Sequence, residues 1–396
     1  MNILFVYAGE ILPERGGVQR VTQVLADYFE SKNINTFYLS LPLNNNNIKT
    51  STRQFYLPSK TNAKENEIFY LNFLKYKKIN LVINQSGINP FISNLCYQAT
   101  TSNVKVISVI HNSILTGIKN FSSLYKSKAK KMNVSCLLPI ADIKIINNLL
   151  CYFYKLKHQK HYCDLCDKSD RVILLSKKFE SELKYITGKS ELNKVSVIPN
   201  PVSFNIGTLN LNGKKKELLY VGRVDTTFKR VDLLLEIWSK LHKAFPDWKL
   251  KIVGSGQELK NLMLLSKKIN LSRVYFEGFQ NPENYYRDAS IFCMTSSSES
   301  FGMVLLEAMQ YGTVTFAFNS YASVTDIIDN NINGVLVTPF DCDNYAKQLG
   351  ILMNDNENII NLAEAAIKKS ASFSIEKIGS MWIEIFETLN FYQKTS

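Results

Sequence analysis

The sequence predicts an α/β protein made of two domains, each with a parallel sheet covered by helices. Short apolar segments alternate with helical segments along the chain, a pattern that is typical of consecutive βα units. The length of 396 residues suits two cores of about 200 residues each. The alternation is interrupted at Pro199-Asn200-Pro201, and the polar stretch that follows makes this the best domain boundary.

The first domain is expected to span residues 1–199. Runs rich in β-branched and apolar residues predict its strands, and apolar residues three or four positions apart predict its helices. The predicted strands are Asn2–Ala8, Thr36–Leu41, Asn80–Asn84, Val104–Ile110, Arg171–Leu175 and Lys194–Ile198. The predicted helices are Val18–Phe29, Lys64–Tyr76, Phe91–Thr100 and Lys177–Ile186.

The second domain is expected at residues 200–374 and repeats the alternation. Its predicted strands are Glu217–Val221, Trp248–Val253, Arg273–Glu277, Ile291–Thr295 and Gly334–Val337. Its predicted helices are Val231–Ala244, Gln257–Lys268 and Phe301–Gln310. The last segment, residues 375–396, contains an amphipathic helix at Ile375–Leu389, which should pack its apolar side on another part of the chain.

The composition is that of a globular protein without a spanning helix. Hydrophobic residues make up 45% of the chain and charged residues 20%. The best apolar stretch, Leu137–Leu156, is interrupted by Asp142 and Lys144, and the apolar start at Asn2–Tyr7 is too short for a secretory signal. Seven scattered cysteines suggest reduced thiols, so the expected location is the cytoplasm.

The positive charge is concentrated in the first half of the chain. Residues 1–200 carry a net charge of +14 and the remainder −1. The segment Lys119–Lys160 holds nine lysines and one acidic residue, with aromatic residues between them. This pattern favours contact with an anionic membrane, at the inner face of the cell membrane, or with a pyrophosphate-bearing lipid. Nucleic acid is the competing partner, although none is expected, and a solvated lysine face is an equally simple explanation.

Two carboxylates stand eight positions apart in the segment from Ser296 to Met309. Glu299 is expected at the turn between a strand and a helix, and Glu307 about two turns into that helix. The amides of Ser300, Phe301, Gly302 and Met303 would carry the positive end of the helix dipole. Carboxylates beside such a helix start suit a polyol joined to a diphosphate, although acids near a helix start also serve simply as caps.

Two cations flank a second turn, in the segment from Val221 to Asp232. Arg223 and Lys229 are six positions apart, so both can converge on one ligand. Arginine offers a planar fork to phosphate oxygens, and lysine offers a compact point charge. The sequence therefore predicts a phosphate-binding turn here, with a solvated surface turn as the alternative.

These motifs resemble those of the retaining family 4 glycosyltransferases, through Glu-x7-Glu with its Glu-Ser-Phe-Gly run and through Gly-Arg-x5-Lys. The resemblance implies the GT-B fold: two Rossmann-like domains with parallel sheets facing across a cleft, and a C-terminal helix crossing back to the first domain. It implies an acceptor-side first domain and a second domain that binds the nucleotide sugar. By the same resemblance Glu299 contacts the transferred sugar and Glu307 holds the ribose, while Arg223 and Lys229 neutralise the leaving diphosphate.

The resemblance extends to the first domain. The Gly-Gly-Val-x-Arg run at 16–20 matches a loop that lies against the donor diphosphate, so Gly16 and Gly17 are expected to supply backbone contacts, with Arg20 secondary. His111 follows a strand at the position of a family histidine that faces the transferred sugar, which implies a sugar contact and acid/base assistance. Histidines at strand ends are also often structural.

The resemblance implies a retaining transferase that moves a hexose-type sugar, UDP-linked by preference, to a glycan or lipid-linked glycan in surface-polysaccharide assembly. No cofactor and no divalent metal are expected, because the Asp-x-Asp at Asp341–Asp343 suits a helix cap and the His158–Cys166 cluster suits a packed helix. A glycine-free loop at Asn319–Asp326 departs from the family pattern, which leaves the sugar open. The alternatives are a nucleotide-sugar epimerase or hydrolase, and a basic membrane or nucleic-acid binding module with a vestigial cleft.

Overall fold

The computed structural model describes residues 1–13, 16–42, 53–120, 144–202, 204 and 209–389. The chain forms two compact units. The first consists of Met1–Asn112, Phe153–Ser203 and Phe373–Ser396, and the second of Ser113–Tyr152 and Phe204–Ser372. The chain therefore passes between the units more than once.

The first unit is built on a seven-stranded parallel sheet. Its strands are β1 (Asn2–Tyr7), β2 (Asn35–Ser40), β3 (Gln54–Tyr56), β4 (Leu81–Asn84), β5 (Lys105–Ile110), β6 (Arg171–Leu174) and β7 (Val195–Val197). They lie in the order β3-β2-β1-β4-β5-β6-β7. The central strand β1 is apolar on both faces, with Ile3 to Val6 buried, as expected for a sheet covered by helices on both sides.

Six helices precede the second sheet in the described part of the chain. They are α1 (Gly17–Ser31), α2 (Ala63–Tyr76), α3 (Pro90–Tyr97), α4 (Thr116–Lys119), α5 (Lys144–Lys168) and α6 (Lys178–Thr187). Asn62 and Asn89 cap α2 and α3 through side-chain oxygens that accept backbone N–H groups. No helix in the described ranges combines the length and the apolar character needed to cross a membrane.

The second unit is built on a six-stranded parallel sheet. Its strands are β8 (Lys215–Val221), β9 (Lys249–Val253), β10 (Val274–Gly278), β11 (Ala289–Met294), β12 (Val314–Phe318) and β13 (Gly334–Val337), in the order β10-β9-β8-β11-β12-β13. Its later helices are α7 (Val231–Leu241), α8 (Leu259–Lys268), α9 (Glu283–Asp288), α10 (Met303–Gln310), α11 (Val324–Ile327), α12 (Cys342–Met353) and α13 (Asn356–Ser370). The apolar face of α7, including fully buried Trp238, packs in the core against this sheet.

The terminal helix α14 (Ile375–Thr388) belongs to the first unit and packs on α1. The ring of Phe29 on α1 lies 5.2 Å from that of Phe386. A Cβ atom on Gly379 would come within 2.3 Å of the Tyr28 ring, so glycine at this position allows the two helices to approach closely. The predicted fold class is confirmed: an α/β protein with two parallel sheets and a C-terminal helix that packs on the amino-terminal unit.

Candidate functional site

The two sequence motifs of the second unit meet at one position in its sheet. Strands β8 and β11 are neighbours although two strands and three helices separate them along the chain, and the sheet grows outward in both directions from this pair. Ligands of open α/β sheets bind outside the carboxyl ends of the strands at such a switch point. The turn at 222–230 follows β8 and the turn at 295–302 follows β11, so both motifs lie at this position.

Lys229 and Glu299 form an ion pair between these turns. The Lys229 Nζ atom lies 2.6 and 2.7 Å from the two Glu299 carboxylate oxygens. The Ser296 hydroxyl donates a third hydrogen bond to Glu299, at 2.6 Å. The side chains are 20% and 9% exposed respectively, so solvent screens the pair only partly. Of the four residues predicted to act on the transferred sugar or the leaving diphosphate (Glu299, His111, Arg223 and Lys229), the structure thus brings two together, and this pair offers a cation and hydroxyl acceptors side by side.

Asp225, which sequence reasoning did not single out, organises the turn that carries both cations. Its Oδ1 atom accepts the backbone N–H groups of Thr227, Phe228 and Lys229 at 2.7–3.0 Å. Its Oδ2 atom accepts the Nε–H of Arg223 at 2.8 Å. Burial opposes ionisation of this carboxyl, but the Lys229 amide, the Arg223 guanidinium and the Phe228 amide outweigh it and hold its pKa below the ordinary value. Asp225 is therefore a charged cap for the turn.

Arg223 pairs with Asp225 rather than with either glutamate of the motif. Its side chain is 62% exposed, in contrast to that of Lys229. The preceding Gly222 adopts a φ of 150°, and the Arg223 carbonyl accepts the hydroxyl of buried Tyr220 at 2.8 Å. The backbone is thus fixed while the guanidinium extends into solvent, which suits a side chain that closes over a ligand.

The two turns are joined directly by hydrogen bonds from the residues after β11. The Thr295 hydroxyl donates to the Arg230 carbonyl at 2.9 Å, and the Ser297 hydroxyl donates to the Thr227 carbonyl at 2.9 Å. The Ser297 amide donates to the Phe228 carbonyl at 2.7 Å. Because all three groups are buried, these bonds make the turns one rigid body that fixes Lys229 against Glu299.

The glycine-free loop that follows β12 supports the turn carrying Glu299. The Ser320 hydroxyl donates to the Ser296 carbonyl at 2.5 Å, and the Ser323 hydroxyl lies 3.3 Å from the Phe301 carbonyl. Asn120, just after α4, donates both protons of its amide to the carbonyls of Ser297 and Ser320, at 2.5 and 2.6 Å. The loop that departs from the family pattern is therefore part of the scaffold of this site.

Helix α10 begins at Met303, two residues later than predicted. Gly302 adopts a φ of 99°, a conformation that side chains rarely take, and this residue stops the helix from extending back to Phe301. A Cβ atom on Gly302 would lie 2.5 Å from the Tyr321 hydroxyl. Because glycine permits this backbone conformation, the chain turns sharply at Gly302, and the first amides of α10 follow directly after the turn that carries Glu299.

Glu307 lies about one turn into α10 rather than two, and its carboxylate is buried. It accepts the hydroxyl of Tyr286 at 3.0 Å, and the Tyr286 ring stacks on that of Tyr311 at 6.0 Å. An aromatic layer thus backs the carboxylate. Its role as a ribose contact stays a prediction.

In the first unit, Gly17 is the first residue of α1 and is exposed at the helix start. Gly16 is the N-cap residue and, being glycine, has no side chain of its own with which to cap the helix. The Arg20 amide donates to the Gly16 carbonyl at 3.0 Å, as in a regular first turn. Backbone amides at a helix start can bind an anion, and the contacts of Gly16 and Gly17 with the donor stay a prediction.

His111 follows β5 at the carboxyl end of the first sheet and is 7% exposed. Its Nε2 atom lies 2.6 Å from Oε1 of Gln85, which follows the neighbouring strand β4. This contact places the proton on Nε2, whereas buried Nδ1 has no partner among the described residues. Burial lowers the pKa of His111 to about 4, so the ring is neutral at pH 7 and acts as a hydrogen-bonding group rather than as a charge. Gln85 was missed because only the sheet order brings it beside His111.

The His111 pKa predicts an acid-sensitive contribution to stability. The ordinary pKa is 6.5, so between pH 6.5 and 4 the unfolded chain binds a proton that the folded chain does not, and stability falls as pH falls. Between pH 7 and pH 4, His111 should lower the free energy of unfolding by about 3 kcal/mol. Denaturant unfolding at pH 7 and pH 4 should show that the free energy of unfolding changes less between these pH values for His111→Asn than for the wild type. Equal dependence in both would contradict the assignment.

The described residues contain no group of three side chains suited to holding a metal. Asp341 caps α12 by accepting the Asn344 amide at 2.9 Å, as predicted for the Asp-x-Asp sequence. In the His158–Cys166 cluster, His161 Nε2 lies 2.9 Å from the Gly87 carbonyl, and the Cys163 thiol lies 3.5 Å from the Thr187 carbonyl. These side chains thus serve packing and backbone contacts.

Comparison with known proteins supports the sequence resemblance. Residues 203–370 match the family model described as glycosyl transferases group 1. An uncharacterized glycosyltransferase of Haemophilus influenzae is 31% identical over 215 residues, which cover 54% of this chain and 60% of that protein. The amylovoran biosynthesis glycosyltransferase AmsD of Erwinia amylovora is 28% identical over 271 residues, covering 64% of this chain and 74% of the relative.

Among solved structures, Anabaena HepE in complex with UDP-glucose matches with a TM-score of 0.70 at 14% identity, covering 98% of this chain and all of that one. This likeness shows the fold, which is GT-B. The chain is thus similar to glycosyltransferases in its carboxy-terminal region and shares their fold throughout. Membership of family 4, the meaning of Glu-x7-Glu and the retaining course stay predictions.

Proposed function

We propose that this protein is a retaining glycosyltransferase. It would move a hexose-type sugar from a nucleotide-diphosphate sugar, with UDP favoured, to a glycan or lipid-linked glycan in surface-polysaccharide biosynthesis. The observation that carries the proposal is the Lys229–Glu299 pair at the β8/β11 switch point, beside the start of α10. A cation, a carboxylate and a helix start in one place match a diphosphate joined to a sugar.

In this proposal each group of the donor has a partner. Lys229 and Arg223 bind the diphosphate, together with the amides of residues 300–303, and Glu299 accepts hydrogen bonds from sugar hydroxyls. Glu307 holds the ribose. Arg223 can reach the phosphate because its side chain is exposed, whereas Lys229 is already fixed in place by Glu299. In the first unit, the amides of Gly16 and Gly17 add backbone contacts, and neutral His111 hydrogen-bonds the sugar.

The transfer breaks the bond between sugar C1 and the β-phosphate oxygen and forms a bond between C1 and the acceptor oxygen on the same face. The acceptor proton passes to the departing phosphate oxygen, so the products are a glycoside and a nucleoside diphosphate. Negative charge builds up on that oxygen as the bond breaks, and preorganised cations and amides stabilise it without reorganisation. We expect these groups to suffice without a divalent metal or another cofactor.

The proposed location follows from the acceptor. A lipid-linked glycan would place the protein in the cytoplasm, peripherally at the inner face of the cell membrane. The expected membrane segment Lys119–Lys160 lies partly outside the described residues, since 121–143 are not described. The similarity to AmsD, whose name refers to amylovoran biosynthesis, supports a polysaccharide pathway.

The proposal is tested by thermal unfolding with UDP-, GDP- and other nucleotide sugars in EDTA. A donor at 100 times its dissociation constant should stabilise the folded chain by about 2.7 kcal/mol. The stabilising donor is then incubated with glycan and lipid-linked acceptors, and products are separated by mass spectrometry. A glycoside supports the proposal. A free monosaccharide or an epimer without glycoside would favour the hydrolase or epimerase, and no stabilisation by any nucleotide sugar would refute a donor site.

A further inference from the structure

Lys214 holds the carboxyl end of the short helix α9. It directly precedes β8, and its Nζ atom donates to the carbonyls of Tyr286 and Ala289 at 3.0 and 2.9 Å and to the Thr313 hydroxyl at 2.9 Å. The Thr313 hydroxyl in turn donates to the Tyr286 carbonyl at 2.5 Å. Burial lowers the pKa of Lys214 to about 7 against the opposing charge of Asp288, and the ammonium and the neutral amine both retain N–H groups to donate. Two side chains thus fix the backbone of Tyr286.

The ring of Tyr286 is fully buried among other aromatic rings. It stacks on the ring of Tyr311 with 6.0 Å between centroids, and it lies 6.0 Å from the ring of Phe292 on β11. Phe204 packs edge-on against the Tyr286 and Tyr311 rings, at 6.4 and 5.6 Å. A ring packed this closely on a fixed backbone has little freedom to move, so the position of its hydroxyl is set.

The hydroxyl of Tyr286 donates to Oε2 of Glu307 at 3.0 Å. Glu307 is 1% exposed, and a buried carboxylate requires hydrogen-bond donors. Lys214 and Thr313 both stand directly before strands, so the anchor of Tyr286 lies at the amino end of the sheet. A ligand of such a sheet binds at the opposite, carboxyl end. Tyr286 therefore reaches Glu307 from the end of the unit that is remote from the expected ligand.

We propose that Tyr286, anchored by Lys214, is a positioning residue of the donor site, where it holds the Glu307 carboxylate in the orientation that accepts hydrogen bonds from the ribose hydroxyls of the nucleotide. Because this role needs Glu307 to contact the ribose, it rests on the proposed function. It makes Tyr286 a determinant of selectivity for a nucleotide that carries both ribose hydroxyls. A carboxylate that can rotate accepts such a pair less well, since each hydrogen bond depends on direction.

The simpler alternative is that Tyr286 only fills the core. In that case the loss of its hydroxyl would destabilise the unit and weaken the binding of every nucleotide alike, whereas a positioning role affects only nucleotides whose ribose hydroxyls reach Glu307. The two roles are therefore separated by the ratio of the affinities measured with and without those hydroxyls.

The test is isothermal titration calorimetry of the full chain with UDP and GDP and with the 2′,3′-dideoxy form of each. We expect the wild type to bind one of the two nucleoside diphosphates at least about 30-fold more tightly than its dideoxy form, because hydrogen bonds to a charged group are lost. Tyr286→Phe keeps the buried ring and removes the hydroxyl, and it should lower this ratio about tenfold. Its affinity for the dideoxy form should stay within about twofold of the wild-type value.

Tyr311→Phe is the matched control. It removes the hydroxyl of the ring stacked on that of Tyr286, and this hydroxyl donates to Glu283 at 3.3 Å. Its ratio should equal that of the wild type. Lys214→Met keeps the Tyr286 hydroxyl but removes its anchor, so it should lower the ratio, and it decides the outcome where Tyr286→Phe does not fold. Thermal unfolding shows which variants are folded.

An unchanged ratio in folded Tyr286→Phe, or in folded Lys214→Met, would overturn the positioning role while leaving the donor site intact. So would an equal loss in Tyr286→Phe and the Tyr311→Phe control. A wild type that binds both forms of a nucleotide equally would refute the ribose contact of Glu307, and no binding of any of the four nucleotides would refute the donor site itself. Failure of the positioning role is therefore distinguishable from failure of the proposed function.

Discussion

Replacing Lys229 with methionine is expected to lower the turnover of the proposed transfer by about 100-fold to 1,000-fold. The ammonium is the best-fixed positive charge of the site, because Glu299 holds it through both carboxylate oxygens. A fixed charge needs no reorganisation when the phosphate oxygen becomes negative. Methionine keeps a similar apolar stem and removes only the charge. Release of nucleoside diphosphate, measured with the donor found by thermal unfolding, gives the rate.

The same substitution should also destabilise the fold, by about 2–3 kcal/mol, since it leaves Glu299 nearly buried without its ion-pair partner. Lys229→Met/Glu299→Gln should recover most of that stability, because the amide can still accept the Ser296 hydroxyl. Turnover should not recover. This combination separates loss of charge from loss of fold, and wild-type turnover in a folded single variant would contradict the role of Lys229.

A matched control removes a lysine from an ion pair elsewhere in the second unit. Lys240 on α7 lies 2.7 Å from Asp343 at the solvent-exposed surface. Lys240→Met should change the free energy of unfolding by no more than about 1 kcal/mol, because surface pairs contribute little. Its turnover should equal that of the wild type. The contrast with Lys229→Met then rests on where the ion pair lies rather than on the loss of a lysine.

Much of the fold could be predicted because each element carries its own local pattern. The strand predicted at Ile291–Thr295 is observed as β11, shifted slightly to Ala289–Met294. The three-residue β3 is too short to show a period, and it was missed. Helix α13 was also missed, although its sequence has an N-cap, Asp355, and an amphipathic pattern that could have indicated it.

The site could be predicted only as far as its residue types are recognisable in sequence. Lys229 and Glu299 are 70 residues apart in the sequence. The family resemblance predicted that both act on the donor, and in the structure the pairing of β8 with β11 places them side by side. Asp225 and Gln85 were missed for a common reason. Asp225 accepts hydrogen bonds from three backbone amides, and Gln85 contacts His111 from a neighbouring strand. Neither residue therefore has a characteristic spacing in the sequence from which its role could be predicted.

Replacing Asp225 with alanine is expected to lower turnover by about 100-fold and stability by about 2–3 kcal/mol. The substitution removes the acceptor of three backbone N–H groups and the partner of Arg223. Loss of a cap that satisfies several amides costs more than one ordinary cap. The turnover loss follows from displacement of Lys229, because a shift of about 1 Å in a catalytic group can cost about 100-fold.

The variant Asp225→Asn separates the geometry of the turn from its charge. An asparagine oxygen can still accept the three amides, so the fold should lose no more than about 1 kcal/mol. The guanidinium of Arg223 loses its anionic partner but can still bind phosphate, so turnover should fall by no more than about tenfold. Denaturant unfolding and nucleoside diphosphate release measure both quantities. If the alanine and asparagine variants behave alike, charge rather than turn geometry is the contribution of Asp225, and the capping role assigned here is wrong.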